Sequence, residues 1–283
     1  MSNLCNTQNI KEILKRHGFT FSKSLGQNFI INPEICPRIA AEGGVTEDIG
    51  VIEIGAGIGV LTKELARRAK KVVVIELDKR LLPVLGETLN EFNNIKIIND
   101  DVLKVDFKAL IAEEFAGMKV VVCANLPYYI TSPVLMLLLE ERLPIESVTV
   151  MVQKEAAERI CAVEGSRETG AISFAVRYYS RPMVLFEVSR DSFLPSPNVD
   201  STVIRLDIRD DKALSPKDES KLFRLIRGSF TQRRKTLANS LSSSMGIEKG
   251  LVLAALAAAG VSATARPEAL TLNQFCDIAN QFK

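Results

Sequence analysis

Short, continuous runs of apolar residues alternate along the first half of the chain with segments that have the period of amphipathic helices. The runs predict strands over 51–54, 72–77, 95–98 and 120–124. The segments between them predict helices over 60–69, 81–92 and 107–115. Continuous apolar runs are typical of strands that are covered on both faces. The pattern therefore predicts an α/β fold, with a mostly parallel, Rossmann-like sheet and helices on both faces.

The pattern changes towards the end of the chain. After a helix over 133–139, apolar runs over 148–152, 184–188 and 202–208 predict a hairpin-like end to the sheet. Beyond a polar segment that begins at Asp210 the periodicity is helical only, with helices predicted over 221–241, 251–259 and 272–282. We therefore expect one domain over residues 1–209, which includes an N-terminal helix over 7–17, and a small all-α domain over 210–283.

Composition excludes several classes of protein. The chain has 283 residues, of which 47% are hydrophobic and 25% charged, as in ordinary soluble proteins. It contains no apolar stretch of the ~18 residues that a membrane span needs, and its first residues do not resemble a signal peptide. We therefore expect a cytoplasmic protein with no membrane contact. The five cysteines are far apart and His17 is the only histidine, so we expect no metal site and no Ser-His-Asp chemistry.

A glycine-rich turn follows the first predicted strand, at Gly55, Gly57 and Gly59. In doubly wound sheets this turn holds a nucleotide-like cofactor, although it can also be purely structural. A dinucleotide fingerprint needs glycine at position 60, where Val60 stands, so the spacing favours an adenosyl cofactor over NAD. About twenty residues further on, Glu76 is placed to accept ribose hydroxyl groups, with Asp78 as the rival.

The string Asn125-Leu126-Pro127-Tyr128 follows the predicted strand over 120–124. Proline fixes its own φ and pushes Leu126 to an extended conformation, so we expect the carbonyls around the turn to be free to face a ligand. Asn125 adds a neutral acceptor and Tyr128 a stacking surface. The string is suited to hold a planar amine, and the alternative is a structural turn with a buried tyrosine.

Together these motifs resemble the class I S-adenosylmethionine-dependent methyltransferases, and the Asn-Leu-Pro-Tyr string resembles those that methylate an exocyclic amine of a base. Three further segments, SLGQNFI at 24–30, FLPSPNVDS at 193–201 and SFTQRRKTLANSL at 229–241, are similar to the ribosomal RNA adenine N6,N6-dimethyltransferase family, and most of all to its small-subunit type. The resemblance extends over residues 10 to 280, approximately.

The resemblance implies roles for individual residues. It implies a cofactor site for S-adenosylmethionine, built from Asn28, Ile30, Gly55, Gly57, Glu76, Asp101 and Asn125. It implies a catalytic set that holds the extruded base, formed by Asn125, Leu126, Pro127, Tyr128 and Phe193. Phe193 could equally be a core residue, since a Phe before Leu-Pro is often buried.

A cluster of cations lies between positions 223 and 241, where no acidic residue occurs: Arg224, Arg227, Arg233, Arg234 and Lys235. On one continuous helix, all but Arg233 would fall within an arc of about 100°. Such a stripe is ordinarily a solvated face. The absence of acids favours contact with RNA phosphates.

The function that the resemblance implies is dimethylation of two adjacent adenosines in a 3′-terminal hairpin loop of small-subunit rRNA, coupled to biogenesis of that subunit. The expected partner is the small ribosomal subunit rRNA or its precursor particle, and we expect the chain to act as a monomer. One alternative is the large-subunit rRNA adenine methyltransferase that confers antibiotic resistance, and another is a non-catalytic assembly or transcription factor. Val60 disfavours an NAD dehydrogenase, and the lack of His-x-Glu and Cys-x-x-Cys motifs disfavours a zinc deaminase.

Overall fold

The computed structural model describes residues 4–22, 26–209, 214, 216–232 and 235–282. Within these ranges the strands are β1 (Phe29–Ile30), β2 (Gly50–Ile54), β3 (Lys71–Ile75), β4 (Ile95–Ile98), β5 (Val120–Asn125), β6 (Ser147–Gln153), β7 (Ser180–Val188), β8 (Phe193–Leu194) and β9 (Ser201–Ile208). β1 and β8 form a small antiparallel pair. The other strands form one sheet.

The helices of the described residues are α1 (Thr7–Arg16), α2 (Ile35–Glu42), α3 (Val60–Arg68), α4 (Leu82–Thr88), α5 (Phe107–Glu114), α6 (Thr131–Glu140), α7 (Lys154–Ile160), α8 (Ala171–Tyr179), α9 (Glu219–Ser229), α10 (Leu237–Met245), α11 (Lys249–Ala258) and α12 (Leu272–Gln281). Side chains cap several of them. Asn6 Oδ1 accepts the N–H groups of Gln8 and Asn9 at the start of α1, and Thr271 and Gln274 form a capping box at the start of α12.

The main sheet has the order β4-β3-β2-β5-β6-β9-β7. β4, β3, β2, β5 and β6 are parallel, and β9 is antiparallel to β6. Every residue of β2 is buried, and so are all but the last of β5 and β6. Because successive side chains of a strand point to opposite faces, such uniform burial means that both faces of the sheet centre are covered. The predicted α/β fold with a mostly parallel sheet is confirmed.

The chain divides into two compact units, and the division differs from the one we expected. Unit 1 comprises Met1–Ala157 and Met183–Ile208, and unit 2 comprises Glu158–Pro182 and Arg209–Lys283. The segment over 158–182, which we expected in the first domain, belongs to unit 2. There the hydroxyl groups of Tyr178 and Tyr179 donate to the Glu219 carboxylate at 3.0 and 2.7 Å, and both rings pack on Phe223. These contacts join positions about forty residues apart, so no local pattern reveals them.

The prediction of a single helix over 221–241 is wrong, because two helices occupy that range. α9 ends at Ser229, and α10 begins at Leu237. Gly228 does not break α9 but is a site of close packing, since a Cβ atom there would lie 2.6 Å from Ser244 Oγ. After it, the Thr231 hydroxyl donates to the Gly228 carbonyl at 2.8 Å. The expected arc of cations on one helix therefore does not exist.

Four elements were not predicted at all: α2, α7, α8 and the β1–β8 pair. The pair consists of strands of two residues each, with Phe29 opposite Leu194 and Ile30 opposite Phe193. Over the part of the chain that the structure describes, no helix combines the length and apolar character of a transmembrane span.

Candidate active site

The register of three parallel strands brings the ends of those strands to one level. Ile54 at the end of β2 lies opposite Ile75 of β3 and opposite Ala124 of β5. The residues that follow are Gly55, Glu76 and Asn125. Three of the predicted site residues therefore leave the sheet side by side, at its carboxyl edge, where ligands bind in open α/β sheets.

The glycine turn that begins at this level has left-handed backbone at Gly55, Gly57 and Gly59, with φ of 75°, 58° and 87°. Residues with a Cβ atom rarely adopt such angles. At Gly59 a Cβ atom would also meet Leu89 Cδ2 at 3.0 Å. The turn leads directly into α3, so its backbone N–H groups lie at the start of a helix.

Glu76 faces this turn and is held by it. Its Oε2 accepts the Gly57 N–H at 3.2 Å, and its Oε1 accepts the Asp78 N–H at 2.9 Å. The residue is only 6% exposed, and burial raises the pKa of its carboxyl group, although the two backbone N–H bonds oppose this rise. A carboxylate has about four lone-pair sites, so two remain for donors from the cavity that Glu76 lines.

Asp78 was the alternative to Glu76 as a ribose ligand, but its carboxylate already accepts hydrogen bonds from other side chains of the protein. Arg80 Nε donates to Oδ1 at 2.8 Å, and Arg80 Nη2 lies 2.6 Å from Oδ2. Gln27 Nε2 also donates to Oδ2, at 2.8 Å. The hydrogen bonds from Arg80 hold the pKa of Asp78 below its usual value. The geometry thus favours Glu76 as the acceptor of ribose hydroxyl groups.

Asp101 lines the same cavity, beyond the end of β4. Its Oδ1 accepts the Leu103 N–H at 3.0 Å and so caps a short 3₁₀ turn over Val102–Lys104. Lys104 Nζ lies 3.8 Å from Oδ2, which is too far for a hydrogen bond. Oδ2 is therefore available to accept an amine from a ligand.

The Asn125 side chain is oriented by the segment before β1. Its Nδ2 donates to the Asn28 carbonyl at 3.4 Å, which leaves its Oδ1 as an acceptor for the cavity. Asn28 Nδ2 in turn donates to the Gly26 carbonyl at 3.2 Å. Asn28 and Ile30 both line the cavity, as their expected role in a cofactor site requires.

The carbonyls of the Asn-Leu-Pro-Tyr turn are not all free, contrary to our expectation. The Pro127 carbonyl accepts the Ile130 N–H at 3.1 Å and the Thr131 hydroxyl at 3.5 Å, because a 3₁₀ turn over Tyr128–Ile130 follows it. The Leu126 carbonyl is therefore the better candidate in this turn for accepting a hydrogen bond from an amine. Leu126 as a whole residue is 1% exposed, and it lines the cavity.

The two ring candidates differ in their surroundings. Tyr128 lines the cavity, and its hydroxyl lies 2.9 Å from the buried Ser201 Oγ, which fixes the direction of the ring. Burial raises the pKa of Tyr128, so the phenol stays protonated at neutral pH. Phe193 is 3% exposed, pairs with Ile30 and is not among the residues that line the cavity. The structure therefore favours the core alternative for Phe193 over a stacking surface.

The cavity has a volume of about 280 Å³ and is bounded by the glycine turn, Glu76, Asp101 and the Asn125 turn. Glu53, buried within β2, also lines it, and Glu53 Oε2 has no hydrogen-bond partner in the protein. Burial raises the pKa of Glu53 to about 8. Sequence reasoning missed this residue, although a carboxylate inside an apolar strand is a signal of a polar ligand. The unpartnered oxygen and the left-handed turn fit an adenosyl cofactor.

The predicted RNA-binding cations lie in unit 2. Arg224 and Arg227 are exposed on α9, and Lys235 is exposed in the segment before α10. Arg233 and Arg234 lie outside the described residues. Among the described residues, no group of three or more His, Cys, Asp or Glu side chains is placed to hold a metal ion.

Comparison with known proteins agrees with this geometry. The family model for ribosomal RNA adenine dimethylase matches residues 18–283. The chain belongs to the ribosomal RNA adenine dimethylase family. A member of known name, the ribosomal RNA small subunit methyltransferase A of Geobacillus thermodenitrificans, is 49% identical over 274 residues, which are 95% of this chain and 94% of that protein.

Solved structures of this family and of a related methyltransferase share the fold. A dimethyladenosine transferase from Plasmodium falciparum has a TM-score of 0.73 and 27% identity, over 88% of this chain and 95% of that one. The 23S rRNA methyltransferase ErmE has a TM-score of 0.69 and 28% identity, over 90% and 99% of the two chains. The family member described here therefore has the methyltransferase fold over most of its length.

Replacement of Glu76 by alanine should weaken binding of S-adenosylmethionine tenfold or more. The reason is that a hydrogen bond to a charged group contributes about 1.5–3 kcal/mol, and about 1.4 kcal/mol corresponds to a factor of ten. Isothermal titration calorimetry of the purified protein measures the Kd. An unchanged Kd would exclude Glu76 as a ligand.

Asp78→Asn is the matched control for this measurement. Asparagine keeps an oxygen for Arg80 and Gln27, so the Kd should stay within about threefold of the wild-type value if Asp78 is no ligand. A larger loss in Asp78→Asn than in Glu76→Ala would reverse the assignment.

Proposed function

We propose that this chain uses S-adenosylmethionine to methylate N6 of two adjacent adenosines in a 3′-terminal hairpin loop of small-subunit (16S) rRNA. The substrate would be the small ribosomal subunit or its precursor, in the cytoplasm. The observation that carries the proposal is the position of Asn125, level with Glu76 at the edge of one cavity. Identity of 49% to a protein named as a small-subunit methyltransferase supports the choice of RNA.

The cofactor is held by groups from three strand ends. When bound, S-adenosylmethionine supplies an electrophilic sulfonium methyl group. Glu76 would accept hydrogen bonds from the ribose hydroxyl groups with its remaining lone pairs, and Asp101 Oδ2 would accept one from the adenine amine of the cofactor. The backbone of the glycine turn approaches the ligand closely, since Gly55 and Gly57 carry no side chain in its path.

Methyl transfer to the target amine depends more on alignment of the nitrogen lone pair with the methyl group than on a general base. The lone pair of an adenine amine is delocalised into the ring, which makes the nitrogen a weak nucleophile. Asn125 Oδ1 and the Leu126 carbonyl are two acceptors for its two N–H bonds, and together they favour a pyramidal nitrogen whose lone pair points at the methyl group. The neutral Asn125 amide does this without a second carboxylate that would bind the sulfonium charge in the ground state.

The base must leave its stack to reach this cavity. Enzymes that modify a base extrude it and hold it against aromatic side chains, and such stacking contributes ~1–3 kcal/mol per base. Tyr128 is the stacking surface that we assign, because its ring lines the cavity and its hydroxyl is held by Ser201.

Two acceptors also account for a second methyl transfer. In the first transfer an N–C bond forms as the C–S bond of the donor breaks, S-adenosylhomocysteine leaves and one amine proton passes to solvent. The amine then retains one N–H bond, which can donate either to Asn125 Oδ1 or to the Leu126 carbonyl. The other direction then accommodates the new methyl group. The product that we propose is accordingly N6,N6-dimethyladenosine.

The first alternative is methylation of large-subunit RNA. It has the support of the structural similarity to ErmE, at 28% identity, which is weaker than the 49% identity to the small-subunit enzyme. The second alternative is an RNA-binding factor without catalysis. The buried Glu76 and the unpartnered oxygen of Glu53 argue against it, because a buried polar wall of this kind is costly unless a ligand pairs with it.

Mass spectrometry of nucleosides should identify N6,N6-dimethyladenosine at two adjacent positions after a reaction run to completion. The reaction contains the purified protein, S-adenosylmethionine and small subunits that lack these methyl groups. Large subunits and naked RNA serve as parallel substrates. Monomethyladenosine alone, or modification confined to large-subunit RNA, would contradict the proposal.

Asn125→Ala should lower the single-turnover rate of methyl transfer by roughly a hundredfold, and change the affinities for cofactor and RNA far less. The expected size follows from the loss of one preorganised acceptor in the active site, for which factors of about 10²–10³ are typical. Rapid-quench measurement at saturating substrate separates rate from binding. Equal losses in rate and in affinity would assign Asn125 to ground-state binding instead.

We also propose that the cations of unit 2 contact RNA phosphates. Joint replacement of Arg224, Arg227 and Lys235 by alanine should lower the affinity for RNA particles. It should also reduce the slope of log K against log salt, by about 0.7–0.9 for each contact that is lost. Binding of labelled small subunits over a series of salt concentrations measures both quantities.

A control protein should lose the same charge elsewhere. Lys11, Lys15 and Lys108 are exposed in unit 1, and their joint replacement removes three positive charges. If both proteins lose the same affinity, the effect is one of net charge alone. An unchanged salt slope in the unit 2 variant would mean that its cations are simply solvated.

A further inference from the structure

A segment that leads into β1 and includes it contacts two turns of the cavity wall. We call the glycine turn at 55–59 the cofactor turn and the turn over 125–128 the target turn. We define the N-terminal segment as residues 19–22 and 26–30. The rings of Phe19, Phe21 and Phe29 pack together, with centroids 5.2–6.2 Å apart. Residues 26–30 of the segment form part of the cavity wall.

Gln27 joins this segment to the turn after β3 through both ends of its side-chain amide. Its Oε1 accepts the Ser22 N–H at 2.9 Å, and its Nε2 donates to Asp78 Oδ2 at 2.8 Å. Asp78 is only 6% exposed, and Arg80 bonds to both of its oxygens. The Arg80 guanidinium also lies 5.1 Å from the centre of the Phe19 ring. The Asp78 carboxylate thus links Arg80 to Gln27.

The neighbours of Gln27 lead directly to the target turn. The Asn28 carbonyl accepts Asn125 Nδ2 at 3.4 Å and thereby orients Asn125 Oδ1. Gly26 packs against the same turn, since a Cβ atom there would lie 3.5 Å from Pro127 Cβ. The position of the Asn28 carbonyl therefore depends on how firmly Gln27 is held.

We propose that Gln27 and Asp78 are positioning residues for methyl transfer, and we call their contact the Gln27–Asp78 latch. The latch fixes the Asn28 carbonyl, which directs the Asn125 side-chain oxygen at the target amine. This inference rests on the proposed function of Asn125. It assigns a positioning role to Asp78, which we do not assign to cofactor binding.

The latch should affect the rate of transfer more than cofactor binding. The two expected cofactor residues of the segment have anchors other than the latch, since the Asn28 side chain donates to the Gly26 carbonyl and Ile30 pairs with Phe193 in the β1–β8 ladder. Gln27→Ala should therefore lower the single-turnover rate at least tenfold, while the Kd values for cofactor and RNA stay within threefold. The thermal midpoint should not change, because the Phe19, Phe21 and Phe29 cluster remains. Gln8→Ala, which removes an exposed glutamine of α1, is the matched control.

Exchanging the carboxylate and the amide between positions 27 and 78 distinguishes loss of the latch from a general loss of packing. Gln27→Glu places a second carboxylate against Asp78 and should lower the rate at least as much as Gln27→Ala. Addition of Asp78→Asn restores a donor opposite an acceptor, so the double variant should recover to within threefold of the wild-type rate. A double variant no faster than Gln27→Glu would overturn the proposal, as would an unchanged rate in Gln27→Ala. A fall in rate matched by an equal fall in cofactor affinity or in thermal midpoint would also overturn it.

Nuclear magnetic resonance tests the latch without any reaction. The side-chain amide signals of Asn125 are identified by their absence in Asn125→Ala. They should shift in Gln27→Ala and return in the double variant that combines Gln27→Glu with Asp78→Asn. If wild-type protein methylates no RNA, the proposed function fails while this measurement still decides on the latch. Unshifted signals in Gln27→Ala would refute the latch whatever the activity.

Discussion

The parallel register of β3, β2 and β5 determines which side chains can act together in this protein. Ile54 lies opposite both Ile75 and Ala124, so the next residues, Gly55, Glu76 and Asn125, come at one level at the end of the strands. A slip of one residue in either pairing would move Glu76 or Asn125 to a different level and to the other face. The buried aliphatic strands prevent such a slip, so the packing of the core also sets the geometry of the chemistry.

Burial and hydrogen bonding then determine the pKa and the free lone pairs of each carboxyl group at the carboxyl edge of the sheet. Glu76, Asp78 and Glu53 all line the cavity, yet they differ because their partners differ. Glu76 accepts two backbone N–H groups, Asp78 accepts from Arg80 and Gln27, and Glu53 Oε2 has no partner in the protein. Glu76 keeps lone pairs that can accept hydrogen bonds from a ligand, whereas the lone pairs of Asp78 are occupied by Arg80 and Gln27. Chemically identical carboxyl groups thus acquire separate roles from their burial and their hydrogen bonds together.

The sheet was predictable because its central strands are short, mostly apolar runs of four to six residues, in which single polar residues such as Glu53 do not set up a strict alternation. Helix α2 escaped prediction because Pro37 lies within it, where proline is typical of a break. Helix α8 escaped prediction because its sequence, AISFAVRYY, is rich in β-branched and aromatic residues, which favour strands. The choice between Glu76 and Asp78 could not be made from spacing, since both follow β3. It required the positions of Arg80 and Gln27 around the Asp78 carboxylate. The buried state of Phe193 likewise depends on its pairing with Ile30, which is far away in sequence.

The carboxyl group of Glu53 has a consequence for the end of the catalytic cycle. With a pKa of about 8 it is mostly protonated at neutral pH, so it adds little negative charge to the floor of the cavity. Asp78 is neutralised by Arg80. Glu53 and Asp78 therefore do little to distinguish a sulfonium from the uncharged thioether that remains after transfer. Any electrostatic preference of the cavity for the charged donor over S-adenosylhomocysteine rests instead on the carboxylates of Glu76 and Asp101.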